Sequence, residues 1–304
     1  MGRGSYTSAD WLSLRSSRRL DSTEDVGNIF KYKTATDRNS TRLITYRESR
    51  DATEGSGSTP IIIGFDVTAS MGYLAKELAT NSVHSTVTKL LNESCCSAPQ
   101  ILCAAIGDCK SDKYPLQVTQ FESDIRIIEQ LLELCLEGGG GGNNGESYNL
   151  LWYFAAHHTR HDHFDKRGKK GYIFTIGDDL CHPSLSSAEI NSNFSSYQKY
   201  DISNQELLLE AQKRYHVFHI HIDRGITADT EIFQKWTALM PGRCALIGIK
   251  DIDCLSDLIT TIITYTEGAS LNDALGLLDQ RIAQRIARSV ASIQPTVKKN
   301  TISF

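Results

Sequence analysis

The run PIIIGFD at 60–66 leads directly into VTASMG, so Asp66, Thr68 and Ser70 stand two residues apart on a loop that leaves an apolar segment and enters a helical pattern. On such a loop, positions i, i+2 and i+4 can turn toward one spot. One carboxylate and two hydroxyls make a hard, oxygen-only donor set of low charge. Mg²⁺ suits it, at about 2.0–2.1 Å in octahedral geometry with several positions left to water. Mn²⁺ and Ca²⁺ share the same oxygen chemistry. The helix N-terminus that follows weakly opposes the cation and favours an incoming carboxylate. Two further stretches could contribute. GYIFTIG at 171–177 runs into Asp178 and Asp179. GGGGGNNGES at 138–147 precedes another helical pattern and offers oxygens from Asn143, Asn144, Glu146 and Ser147, with glycines that allow close backbone approach.

The elements that must position these residues are legible as texture. Short, almost continuously apolar runs at 60–66, 100–107, 171–177, 216–223 and 243–249 predict strands buried on both faces. A further strand at 116–121 follows the second after a loop too short for a helix, which predicts an antiparallel hairpin at one sheet edge. Helical patterns fall at about 70–93, 123–136, 147–160, 203–214, 229–239 and 251–267. Strand–helix alternation of this kind predicts an α/β fold, Rossmann-like, with a central, mostly parallel six-stranded sheet, one antiparallel edge strand and helices on both faces. In an open sheet of that type ligands bind at the carboxyl ends of the strands, where Asp66 and Asp178 both fall.

DVTAS at 66–70, the Gly-rich loop and Asp178 together resemble the metal-ion-dependent adhesion site (MIDAS) of von Willebrand factor A (vWA) domains. That family's pattern is DxSxS after the first strand, a Thr on a Gly-rich loop, and an Asp after the fourth strand. Thr68 replaces the first Ser and keeps its hydroxyl. Asp178 matches the last acid better than Asp179. The middle part departs, because no Thr follows the glycine run, so Ser147, Glu146 or Asn144 must substitute or that ligand is missing. The resemblance covers about residues 58–268. It implies a non-enzymatic adaptor whose metal ligands are Asp66, Thr68, Ser70, Ser147 and Asp178, with Asp178 acting through water and one metal position open to a partner's Glu or Asp. Cytoplasmic prokaryotic and phage-type members of this kind imply a multi-protein assembly as the setting, such as one with a MoxR-type AAA+ ATPase. Two rivals stay open: a structural or assembly protein with a vestigial metal site, and a haloacid-dehalogenase-like phosphotransferase with Asp66 as nucleophile and Lys169 or Lys170 holding phosphate.

Around the vWA segment at 59–268, a polar arm occupies 1–58 and an amphipathic stretch with a short tail occupies 269–304. Of the formal net charge of −4, the arm carries +2 and the last segment +3, leaving −9 on the central part. That balance disfavours generic nucleic-acid binding and allows the termini to fold back or to join copies of the chain. Trp11, Leu12 and Leu14 are the early anchor candidates. Leu271, Leu275, Leu278, Ile282, Ile286 and Val290 recur at helical spacing, with Ser270 and Asp273 as a helix start. This stretch packs on its own domain, forms an oligomer or partner helix, or, through Arg281, Arg285 and Arg288, lies on a membrane surface. No apolar run approaches the roughly 20 residues of a membrane span, and residues 1–20 lack an apolar signal core, so a cytoplasmic protein is expected. The eight cysteines form no CxxC pair and read as buried thiols. The glycine run lacks GK[ST] and is not a phosphate loop. His157 and His161 would share a helix face able to hold Zn²⁺, although solvated histidines explain them as simply. His219 and His221 alternate along one strand face as interior histidines. KRGKK at 166–170 reads as a solvated turn.

Overall fold

The computed structural model describes residues 6–20, 24–68, 71–92, 96–137 and 145–294. Its central sheet has six strands: β1 (Thr59–Asp66), β2 (Pro99–Ile106), β3 (Leu116–Val118), β4 (Gly171–Gly177), β5 (Tyr215–Asp223) and β6 (Cys244–Gly248). Their order is β6-β5-β4-β1-β2-β3. Every neighbour is parallel except β3, which runs antiparallel to β2 with Ala104 opposite Val118. This is the Rossmann-like α/β architecture that the strand texture predicts, down to the antiparallel edge. β1, β2 and β4 are buried along their whole length, because helices cover both faces.

On one face lie α1 (Ser8–Arg18), α2 (Gly72–Glu77, a π-helical turn Leu78–Ser82, then Val83–Asn92) and α3 (Arg126–Leu131). The other face carries α4 (Tyr148–His157), α5 (Asn204–Ala211) and α6 (Thr227–Leu239). The first face is completed by α7 (Leu255–Thr266), α8 (Leu271–Gly276) and α9 (Gln280–Ser289). Gly64 lets α4 sit tight on β1, since a Cβ there would stand 2.2 Å from Leu151 Cδ2.

The described part of the arm is folded onto this sheet. Trp11 and Leu14 are buried, and Trp11 stacks on His84 of α2 at 4.6 Å. Leu12 is 62% exposed and anchors nothing. Positions 11 and 14 share a helix face, whereas 12 is rotated by about 100°. Farther on, Arg47–Ser49 pairs in parallel with Thr159–His161. Asp51 and Asp162 bind Arg167 and Arg50, so the KRGKK turn is partly an ion-pair partner of the arm.

The C-terminal amphipathic pattern is not one helix. Asp279 caps a new start by accepting from Arg281 N, and α8 gives way to α9. Ile286, Val290 and Ile293 enter the main core. Arg285 is tied to Asp251 and Asp253 at 2.6 Å. Ser292 Oγ donates to the Cys244 carbonyl and Gln294 N to that of Gly242, so this segment covers the outer edge of β6, which would otherwise present unpaired backbone groups. The segment thus packs on its own domain. Among the described residues no helix is long and apolar enough to cross a membrane.

Candidate functional site

The strand order reverses beside β1: β2 follows on one side and β4 returns on the other. Open α/β sheets form a crevice at that switch point, outside the strand carboxyl ends. Asp66 ends β1, Asp178 follows β4, Arg224 follows β5, Asp108 follows β2, and Glu146 and Ser147 precede α4. Sequence-distant polar residues therefore converge at one edge of the sheet.

Asp66 is fully buried. Its Oδ1 accepts from Thr68 N at 2.7 Å and its Oδ2 from the Tyr148 hydroxyl at 3.2 Å. Burial pushes its carboxyl up to about 7, against the opposing effect of the Thr68 and Tyr148 bonds and with help from the charge of Asp178. Tyr148 can reach in because residue 177 is glycine: a Cβ there would lie 1.9 Å from the tyrosine oxygen. Glu146, also buried, is pushed up to about 9, by burial first and then by the charges of Asp66, Asp108, Asp112 and Asp179. Its Oε2 has no hydrogen-bond partner. Asp178 is buried and raised for the same primary reason, opposed by the guanidinium of Arg224 at 2.8 Å. Arg224 also binds Asp229, whose carboxylate accepts from the backbone of Arg224 and Ile226.

The structure thus brings Asp66, Thr68 and Asp178 to one edge, with Glu146 coupled electrostatically to Asp66. Ser70, Asn143 and Asn144 lie outside the described residues. Ser147 is engaged elsewhere: its Oγ accepts from Cys109 N at 2.9 Å and lies 3.5 Å from Asp108 Oδ1. The residue of the 138–147 loop whose side chain shares a field with Asp66 is Glu146. Asp179 turns away, its Oδ1 accepting from Leu180 N. Among the described residues no three His, Cys, Asp or Glu side chains converge closely enough to hold a metal by themselves. A cation at Asp66 must therefore draw on hydroxyl and water oxygens, as the Thr68 position allows.

Sequence reasoning missed Arg224, Tyr148 and the neighbouring Asp108–His182 pair. Asp108 Oδ1 meets His182 Nε2 at 2.8 Å, and the other ring nitrogen of His182 meets Lys110 Nζ at 3.2 Å. The available signal was positional, since Asp108 and Arg224 each follow a strand within two residues. Lys169 and Lys170 precede β4 whereas Asp178 follows it, so about 20 Å of strand separates them. They cannot hold a phosphate at Asp66, which removes that support for the phosphotransferase. The His157/His161 pair also separates. α4 ends at His157, which bonds Glu210, while His161 is in a strand and accepts from Phe164 N. His219 is buried, bonded to Thr175 Oγ1 and stacked on Trp236. His221 is buried with neither ring nitrogen hydrogen-bonded, so the expected satisfaction of both histidines is incomplete. The described cysteines are free thiols; Cys103, Cys135, Cys244 and Cys254 are buried.

No protein-family model matches the chain, and no curated protein matches it in sequence. Solved structures similar to it include the SpaC pilus adhesin of Lactobacillus rhamnosus GG in its open conformation, at 12% identity over 77% of this chain and 33% of that one, with a TM-score of 0.47. A von Willebrand factor type A protein from Catenulispora acidiphila is similar at 12% identity over 70% and 43%, with a TM-score of 0.37. The conserved hypothetical protein BatB of Bacteroides thetaiotaomicron is similar at 13% identity over 54% and 66%, with a TM-score of 0.31. The chain spans only 33% of the SpaC adhesin and 43% of the Catenulispora protein. At these identities and TM-scores the likenesses decide nothing about the site.

Proposed function

We propose that this chain is a protein-binding module whose strand-end crevice takes a divalent cation, Mg²⁺ or a similar ion, through which a partner's Glu or Asp is bound. The observation that carries this reading is the convergence of Asp66, Glu146 and Asp178 from three separate elements at the sheet's switch point, with Glu146 Oε2 buried and unpartnered. Three buried carboxyls destabilise one another unless protons or a cation compensate. Asp66, Thr68, Ser70 and Asp178 would supply the vWA-type ligands, and Glu146 takes the place on the Gly-rich loop that the resemblance left to Ser147. The bound ion would supply an electrophilic position for an incoming carboxylate. A partner belonging to a larger assembly, such as an AAA+ ATPase, suits an adaptor of this type.

A second reading is favoured by one observation. Arg224 already neutralises Asp178, which is what a scaffold with a vestigial metal site would show. Calorimetric titration of Mg²⁺ and Mn²⁺ into wild type and Asp66→Ala separates the two. The adaptor reading expects binding by wild type that is lost in Asp66→Ala; equal heats for both proteins would sink it. Capture of the partner in the presence and absence of chelator then tests whether the ion mediates binding.

A further inference from the structure

At the opposite edge of the sheet, where β1 and β4 begin, a cavity of about 400 Å³ is lined by Thr59, Leu91, Ser97, His163, Lys169 and Glu267 among others. We propose that it binds a small zwitterion of the α-amino-acid class.

Two of its lining side chains are built in without a use in the fold. Thr59 is 1% exposed and His163 5%. Thr59 Oγ1 and both ring nitrogens of His163 have no hydrogen-bond partner, and the Ser58 backbone stands close to the ring without completing one. Buried polar atoms left in this state are rare and call for a ligand or ordered water. Burial, followed by the charges of Arg167 and Lys169, pushes His163 down to about 4, so at neutral pH the ring offers one N–H donor and one acceptor.

The charged groups choose the ligand. Lys169 is one cation and Glu267 one anion, so this part of the lining is neutral overall. Glu267 is oriented by Tyr172, whose hydroxyl donates to its Oε1 at 2.5 Å. A simple anion would be attracted by Lys169 and repelled by Glu267, and a simple cation would meet the reverse. A molecule with a carboxylate at one end and an ammonium at the other satisfies both. Thr59, Ser97 and the His163 ring can then complete its hydrogen bonds, and Leu91 gives its side chain an apolar wall. The volume lies within the range of about 300–1,000 Å³ typical of small-molecule sites.

The test uses the full chain at neutral pH with L-leucine as probe, beside 4-methylpentanoate and isoamylamine, which are leucine without its ammonium and without its carboxylate. Ligand-observed NMR and calorimetry should show leucine binding at least about tenfold more tightly than either analogue. The ring nitrogen signals of His163 should shift on addition of leucine. Lys169→Met and Glu267→Gln change exposed side chains, and Gln retains an oxygen for Tyr172, so both variants should fold. Each should weaken leucine by about tenfold. The proposal is overturned if either analogue matches leucine, if both variants bind like wild type, or if leucine, alanine and glutamate all fail to bind at about 10 mM, a concentration that detects even weak millimolar sites.

Discussion

Arg224→Met is the substitution that most directly probes the carboxyl crevice. Methionine keeps the apolar stem of the side chain and removes the guanidinium. Asp178, 2% exposed, then loses its only printed charge partner, a contact of 2.8 Å. Stripping one member from a buried pair costs about 3–5 kcal/mol. The Arg224 side chain is 32% exposed, so water already screens part of the interaction, and a loss of about 2 kcal/mol is expected. In a chain of this length that corresponds to a fall in Tm of roughly 4 °C. Burial raises the Asp178 carboxyl and Arg224 opposes the rise, so removing the arginine raises it further. Once the pH drops through that value, Asp178 takes up a proton and needs no partner. Urea unfolding in chelator should therefore show a clear gap between variant and parent at about pH 7.5 that narrows by about pH 5. Equal midpoints at pH 7.5, or a gap that widens on acidification, would refute the ion pair as the means by which Asp178 is tolerated. Under the adaptor reading, added Mg²⁺ should restore part of the lost stability in the variant.

Asp66, raised to about 7, and Glu146, raised to about 9, bind protons more tightly in the folded chain than in the unfolded one; their stabilising contribution is complete below about pH 4 and is lost as pH rises through those values. Asp66→Asn should therefore flatten the decline in stability between about pH 5 and 8 without divalent ions, and an unchanged slope in urea midpoints counts against a raised Asp66. Gly177→Ala places a Cβ 1.9 Å from the Tyr148 oxygen, so Tyr148 must leave Asp66. A loss of roughly 1–3 kcal/mol is expected, and a change within about 0.5 kcal/mol in chemical denaturation would mean that the contact is loose. Ile286→Ala should cost about 2–4 kcal/mol, because Ile286 is 1% exposed in the main core. Amide exchange along β6 should accelerate with it; unchanged exchange there would show that α9 does not protect that edge.

Much of the fold was legible because its signals are local. Five apolar runs without period-2 alternation can only be strands covered on both faces, and the loop between 107 and 115 is too short for a crossover, which dictates the antiparallel edge. Helix breaks were less legible. Leu271 to Val290 keep one apolar stripe across a boundary that Asp279 makes by capping α9, and a stripe does not record a cap in its middle. The arm was harder still, since its few apolar anchors give no periodic pattern and its pairing with Thr159–His161 is an encounter between residues more than a hundred positions apart.

The candidate site divides in the same way. Sequence by itself determined that Asp66 and Asp178 stand at strand ends, because a strand's last residue is where its apolar run stops, and that Thr68 lies on the loop leaving β1. Only the tertiary structure decided that Ser147 serves Asp108 while Glu146 shares the field of Asp66, and that Arg224 neutralises Asp178. Only it placed Lys169 with His163 and Thr59 at the far edge of the sheet. Residue type and spacing specify what a side chain can do within a few positions of its own backbone. Which charges meet across strands depends on strand order, and strand order is settled by packing over the whole chain.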